Sequence, residues 1–150
     1  MSPNIIQWIF ASIATYFDTN KGDYNLVVEG DQFDLENVDL WVDLQVGEYK
    51  STQMSKTRWR CECDLTITIN EAPVNEDTYR VKRAAGYFMS LFNSIPIYRY
   101  GPTAEPENDD EYIACLMCQN PIVVNYYGAG SNIAQATVSS HFQMSYEETS

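Results

Sequence analysis

The sequence has little positive charge. Nine Lys and Arg residues stand against 21 Asp and Glu residues, and the formal net charge is −12. Binding to a phosphate backbone requires Lys and Arg to displace counterions, so we expect most of the surface to repel nucleic acid. An anionic membrane surface is disfavoured as a partner for the same reason. The excess of acid favours solubility.

Long apolar runs are absent as well. No segment approaches the roughly 18–20 apolar residues that span a bilayer. Residues 1–4 lack the basic region of a secretory signal, so we expect a protein that is not secreted. The cysteines of such a chain should mostly be reduced thiols.

Motifs of catalysis are few. His141 is the single histidine, and it falls among polar residues of the last predicted strand, where we interpret it as solvated or part of an interface. A nucleophile paired with His141 remains formally possible. Gly128 and Gly130 precede a strand rather than a helix, so they do not predict a phosphate-binding loop. We expect neither an enzyme nor a cofactor.

The four cysteines fall in two close pairs, and zinc is often held by four thiolates. Alternation points Cys61 and Cys63 to one side of a strand, inside an apolar row. It points Cys115 and Cys118 to opposite faces of another strand. A redox pair would normally open a helix, and no helix is expected there. We interpret the four residues as core thiols and expect no metal site.

Acidic residues crowd one segment in the second half of the chain, at Glu105, Glu107, Asp109, Asp110 and Glu111. A hard cation such as Ca²⁺ accepts carboxylate ligands. The run lacks the spaced alternation and the glycine of a calcium loop. We therefore interpret it as a solvated acidic loop.

Four of the nine positive charges lie close together, at Lys50, Lys56, Arg58 and Arg60, with Trp59 among them. Basic side chains around an aromatic ring can bind single-stranded nucleic acid through stacking. In a chain of such negative charge, a complementary protein contact is favoured. We predict that these five residues contact another subunit or a partner protein.

Apolar periodicity in the 150 residues predicts a single α+β domain spanning residues 1–150. Strict alternation over residues 58–70 predicts a strand whose inner row is Trp59, Cys61, Cys63, Leu65, Ile67 and Ile69. The predicted helices are 3–18 and 76–93, and the predicted extended segments are 24–29, 40–49, 58–70, 95–100, 112–119, 122–127 and 133–146. This order predicts a mainly antiparallel β-sheet with two principal helices packed on it.

Short motifs follow one another in a defined order along most of the chain. They are Tyr16-Phe17-Asp18 at the end of the opening helix, Val28-Glu29-Gly30, Leu40-Trp41-Val42-Asp43, Trp59-Arg60 on the strand that ends Leu65-Thr66-Ile67, Arg99-Tyr100-Gly101, Asn108-Asp109-Asp110 and a long C-terminal strand. In this order they resemble the tail terminator (tail-completion) proteins of tailed bacteriophages.

This resemblance implies a virion protein, assembled in the host cytoplasm, with no catalysis and no cofactor. Such proteins form a ring, usually a hexamer, that stops growth of the tail tube and docks to neck and head-completion proteins. DNA passes through the ring without specific binding, and an acidic ring suits this passage. The acids that we then expect at the lumen or its rim are Asp31, Asp34, Glu36, Asp39, Glu105, Glu107, Asp109, Asp110 and Glu111.

The sequence leaves alternatives open. A head-closure or neck protein, or a tail-tube subunit of the same particle, would be a similar small ring-forming β-rich protein. Alternatives of another class are an intracellular enzyme that uses His141 with a cysteine or an acidic metal site, and a single-strand nucleic-acid binder that uses Arg58, Trp59 and Arg60.

Overall fold

The computed structural model describes residues 3–29, 38–72, 79–100, 112–127 and 134–147. Within these residues the chain forms two helices and six strands. They are α1 (Ile5–Asn20), β1 (Leu26–Val28), β2 (Leu40–Gln53), β3 (Arg58–Glu71), α2 (Arg80–Ser90), β4 (Ser94–Tyr98), β5 (Tyr112–Tyr127) and β6 (Ala134–Glu147).

The six strands form one sheet in the order β1-β2-β3-β6-β5-β4. Only the pairing of β1 with β2 is parallel, and the other four neighbouring pairs are antiparallel. Both helices pack on this sheet, and their apolar residues belong to the same core as those of the strands. The prediction of an α+β fold, mainly antiparallel with two principal helices, is confirmed.

β3 lies near the centre of the sheet, between β2 and β6, and alternates between a buried and a more exposed face. Its inner row is buried from Cys61 to Ile69, as predicted, and Trp59 is half-buried against the core. Each fully buried aliphatic side chain contributes about 1.5–3 kcal/mol relative to an exposed one. The neighbouring strand β6 continues this buried row on the same face of the sheet, with residues that include Val138 and Phe142.

Helical spacing places the apolar residues of each helix on the sheet. In α1 every fourth residue is buried: Ile5, Ile9, Ile13 and Phe17. In α2 the buried residues are Val81, Ala84, Ala85 and Phe88. The rings of Phe17 and Phe88 lie 6.5 Å apart between their centroids, so aromatic packing joins the two helices. Among the described residues, no helix is long and apolar enough to span a membrane.

Several predicted boundaries were wrong at the ends of elements. α1 begins at Ile5 rather than Pro3 and runs to Asn20, where the Asn20 side chain donates to the Tyr16 carbonyl at 2.7 Å. Short stretches at the ends of the predicted segments 24–29, 76–93 and 95–100 fall outside β1, α2 and β4. Residues 76–78 and 133, which began two predicted elements, lie outside the described residues.

Two β-bulges explain the larger errors. β2 was expected to end at Tyr49, but it continues to Gln53. The register shifts by one residue between Gly47 and Lys50, and the pairing with β3 then resumes. Glu48 takes the extra position with a φ of 51°. β5 was expected as two strands, but an irregularity between Gln119 and Val123 keeps it as one.

Candidate functional site

The β2–β3 hairpin brings the predicted contact residues together at one end of the sheet. The turn closes where the Met54 and Ser55 amides donate to the Arg58 carbonyl, at 2.8 and 3.2 Å. Lys56 lies in this turn, and it is exposed, as is Arg58. We call residues 50–60 the hairpin end.

Two cations of the hairpin end are partly countered by acids on the outer face of β3. Lys50 lies opposite Glu62 in the strand register, and its charge contributes to lowering the pKa of Glu62. Arg60 Nε lies 3.9 Å from Glu62 Oε2. The exposed positive charge of the hairpin end is therefore concentrated at Lys56 and Arg58.

The outer face of the central strands also carries the one histidine. Protonated His141 donates from Nδ1 to Asp64 Oδ1 at 2.8 Å and from Nε2 to Glu62 Oε1 at 3.0 Å. The hydrogen bonds to Asp64 and Glu62 raise the pKa of His141. The same bonds lower the pKa of each carboxyl. His141 is only partly exposed, and it ties β6 to β3 rather than standing free in solvent.

The four cysteine side chains do not come together at one site. Cys61 and Cys63 are buried on the inner row of β3, and burial raises the pKa of Cys63 to about 12. Cys115 and Cys118 are half-buried and fall on opposite faces of β5. Cys118 packs against the core, and its Sγ contacts the Ser140 hydroxyl at 3.4 Å. Cys115 lies on the face away from the core, so the interpretation of all four residues as core thiols was wrong for Cys115. Within the described ranges, no group of three His, Cys, Asp or Glu residues is placed to hold a metal ion.

Asp39 is the one predicted rim acid among the described residues. Its carboxylate accepts two hydrogen bonds of 2.9 Å from Arg80, which hold the pKa of Asp39 below its usual value. Arg80 also lies 3.5 Å from the buried carboxylate of Glu71. Asp39 precedes β2, at the opposite end of that strand from the hairpin end. The other rim acids lie outside the described residues: Asp31, Asp34, Glu36, Glu105, Glu107, Asp109, Asp110 and Glu111.

Sequence reasoning missed two open edges of the sheet. β1 pairs only with residues 42–44 of β2, and β4 pairs only with residues 112–117 of β5. Among the described residues, no strand lies beside the rest of either outer side. We call residues 46–53 the β2 free edge and residues 120–127 the β5 free edge.

The β5 free edge is apolar and uncharged. Val123, Val124, Tyr126 and Tyr127 each expose between 42% and 53% of their surface. No charged residue occurs anywhere in β5. An edge of this kind presents unpaired amides and carbonyls to another strand, and most proteins protect such edges with charge. The absence of charged residues from residues 112–127 was the sequence signal that could have predicted this exposed edge.

An apolar groove runs beside the β2 free edge, on the side of the sheet that carries the helices. It has a volume of about 540 Å³ and is lined by Ile6, Gln7, Phe10, Glu29, Val46 and Tyr49. Ile6 is half-exposed, and burial raises the pKa of Tyr49.

Comparison with known proteins informs the fold. No family model matches the sequence, and no curated protein matches it. Among solved structures 23 chains match, so the fold is not peculiar to this protein. One of them, whose name states no function, superposes with a TM-score of 0.55 over 96% of this chain and 96% of that chain, at 9% sequence identity. At this identity, the likeness shows the α+β architecture alone.

Proposed function

We propose that the protein is a non-enzymatic tail terminator of a tailed bacteriophage. Copies of the chain form a closed ring at the head-proximal end of the tail. The ring ends the tail tube, binds the tube protein on one side and neck proteins on the other, and lets DNA pass. The proposal rests on the ordered motifs that resemble this family and on the surface described next.

The hairpin end is the observation that carries the proposal. It gathers four of the nine positive charges of a chain with a net charge of −12, and its outermost cations, Lys56 and Arg58, project from one end of the sheet. A ring needs two different surfaces that complement each other on every subunit. A basic end on an otherwise acidic molecule supplies one of them, and acidic surface of the next copy supplies the other.

The acidic excess supports passage of DNA. A lumen that carries carboxylates repels phosphate and leaves no adhesive site along the path. Asp39 adds little to this repulsion, because Arg80 offsets its charge at 2.9 Å. The lumen acids of the proposal are therefore chiefly the other eight predicted residues.

The test is the state of assembly of the purified protein. We expect a closed ring, seen as one narrow mass in light scattering or native mass spectrometry and as annular particles in negative stain. The particles should also cap isolated tail tubes. A chain that stays monomeric at its highest soluble concentration, and that does not bind tubes, would contradict the proposal.

A charge reversal tests the role of the hairpin end. Arg58→Glu should weaken ring formation, whereas Lys21→Glu should not. Both substitutions change the net charge equally, and Lys21 follows the last residue of α1, with its ammonium 2.9 Å from the Asp18 carboxylate. Equal effects of the two variants would show that total charge, and not the hairpin end, governs assembly.

The same images separate the terminator from the other particle proteins. A terminator forms rings that stop, whereas a tube subunit stacks into long polymers. A neck protein forms rings that bind the head side of the particle and leave bare tube ends uncapped.

A further inference from the structure

We propose that the β5 free edge of one copy pairs antiparallel with the β2 free edge of the next, and that Tyr126 enters the apolar groove beside β2. The inference rests on the self-association proposed above, but not on a role in a phage. It names which two surfaces of the chain meet.

Strand direction allows this pairing. Each step from β2 through β3 and β6 to β5 is antiparallel, so β5 runs opposite to β2 within one copy. A second copy in the same orientation therefore presents β5 antiparallel to β2. Through the register Tyr126 is level with Val42, where β1 lies, so the second copy is also shifted along the strands until residues 120–127 face residues 46–53. The core faces of both sheets then lie on the same side, and one continuous sheet results.

The two edges also have similar lengths. Among the described residues no strand pairs with the outer side of β2 after residue 44 or with that of β5 after residue 117, so residues 46–53 and 120–127 are both available. β1 ends opposite Leu44, so it stops just before the place where the added strand would end. Pro121 lacks an amide hydrogen, so the backbone hydrogen bonds should concentrate in residues 122–127.

Side-chain direction selects the groove. Val124 lies opposite Val138 and Tyr126 opposite Ala136, and both partners are buried on the core face. Val124 and Tyr126 therefore point to the helix side of the sheet, which is the side of the groove. There the half-exposed Ile6 and the ring of Phe10 would cover the Tyr126 ring.

Charge supports the same partner. Lys82 Nζ lies 4.9 Å from the centroid of the Tyr126 ring. Glu29 is exposed and lines the groove. Seating Tyr126 in the groove of the next copy thus brings Lys82 toward Glu29 of that copy. A second copy is therefore the occupant that both edges favour.

The decisive experiment blocks each edge separately and then mixes the variants. Tyr126→Lys and Ile6→Lys each place a charge in the contact, and both original side chains are about half-exposed, so the fold should tolerate the changes. We expect each variant to lose self-association by at least about 30-fold, as for a central aromatic anchor. An equimolar mixture should form a 1:1 dimer, because one intact pair of edges remains.

The control is Tyr112→Lys on the same strand. Tyr112 is 54% exposed against 44% for Tyr126, but it lies where β4 covers β5, so self-association should be unchanged. Thermal unfolding followed by circular dichroism checks that each variant folds.

A charge exchange gives a second test that does not depend on these variants. Lys82→Glu and Glu29→Lys should each weaken association about two- to fivefold, and the double variant should regain it. If either lysine variant fails to fold, this exchange decides the proposal.

Each result that contradicts the edge pairing leads to a different conclusion. Rings that form unchanged with Ile6→Lys and Tyr126→Lys overturn the edge pairing and leave the terminator role standing. A dimer of Ile6→Lys alone indicates pairing of two β5 edges and also overturns it. A mixture that stays monomeric, or a wild-type chain that never associates, overturns it as well. Open chains that depend on both edges support the pairing and refute the ring.

Discussion

His141 joins the two central strands through both ring nitrogens, and this link depends on pH. Its pKa is raised in the folded state above the ordinary 6.5, so its stabilisation is complete below that pH and is lost as pH rises through the folded value. The pKa values of Glu62 and Asp64 are lowered from 4.5 and 3.8. The stabilisation that these two carboxylates contribute is therefore lost as pH falls through their folded-state pKa values. The cluster therefore contributes most between these limits.

We predict that the advantage of the wild type over His141→Gln shrinks as pH rises from about 6 to about 9. The difference in unfolding free energy at the lower pH should be about 1 kcal/mol or less, because His141 and Asp64 are 38% and 46% exposed. Urea titrations at several pH values measure it. A constant difference across this range would show that the ring acts by packing alone.

Thiol chemistry gives a second prediction for individual residues. The thiolate is the reactive form, and burial both raises the pKa of Cys61 and Cys63 and blocks access to them. In the native protein, an alkylating reagent should label Cys115 and Cys118 first. Mass spectrometry of peptides reports the order. Labelling of Cys63 at the rate of Cys115 would contradict the core placement.

The sequence revealed the hairpin end but not the histidine link. Residues 50–60 are close along the chain, so one turn was enough to bring the cations together. His141 and Asp64 are 77 positions apart, and they meet only because β6 pairs with β3 in one register. Periodicity shows which face of a strand a residue occupies, but it does not show which residue lies across from it.

At the scale of elements, α2 is fastened to the sheet by an ion pair at its first residue. Arg80 lies 3.5 Å from Glu71, whose side chain is only 2% exposed, and it also binds the exposed Asp39. Loss of a cation beside a buried carboxylate is costly. We predict that Arg80→Met lowers the unfolding free energy by about 2–3 kcal/mol.

Asp39→Asn serves as the matched variant, since it removes only the exposed half of the same network. Its cost should be about 1 kcal/mol or less. Chemical denaturation of the two variants in parallel makes the comparison. Equal losses would mean that the contact with Asp39, and not the one with Glu71, holds α2.

The long strands were predictable because their alternation is strict, and β3 was placed within one residue. The ends of β2 and β5 were not, because bulges interrupt the alternation without ending the pairing. The extra residues at Glu48 and near Pro121 look like loop residues in sequence, since they break the period of two. Their accommodation depends on the neighbouring strand, which a local pattern does not contain.

At the scale of the whole molecule, the sheet order predicts how the protein opens. β3 has a paired strand on each side along its length, β6 has one on each side over residues 135–143, and both lie at the centre of one core. Their amides should exchange with solvent only through global unfolding, whereas those of β1 and β4 should exchange through local opening. Hydrogen exchange at low denaturant measures both. Exchange of β3 at the rate of β1 would contradict a single core.

The β2 and β5 free edges lie on opposite sides of the sheet, and this has a consequence for the populations of partial assemblies. Every unfinished oligomer joined through them still carries one unused edge at each end, so it keeps adding copies. Closure makes the final contact intramolecular, at the high effective concentration of tethered groups. Across a dilution series, monomers and complete rings should therefore dominate, and species of intermediate size should be scarce.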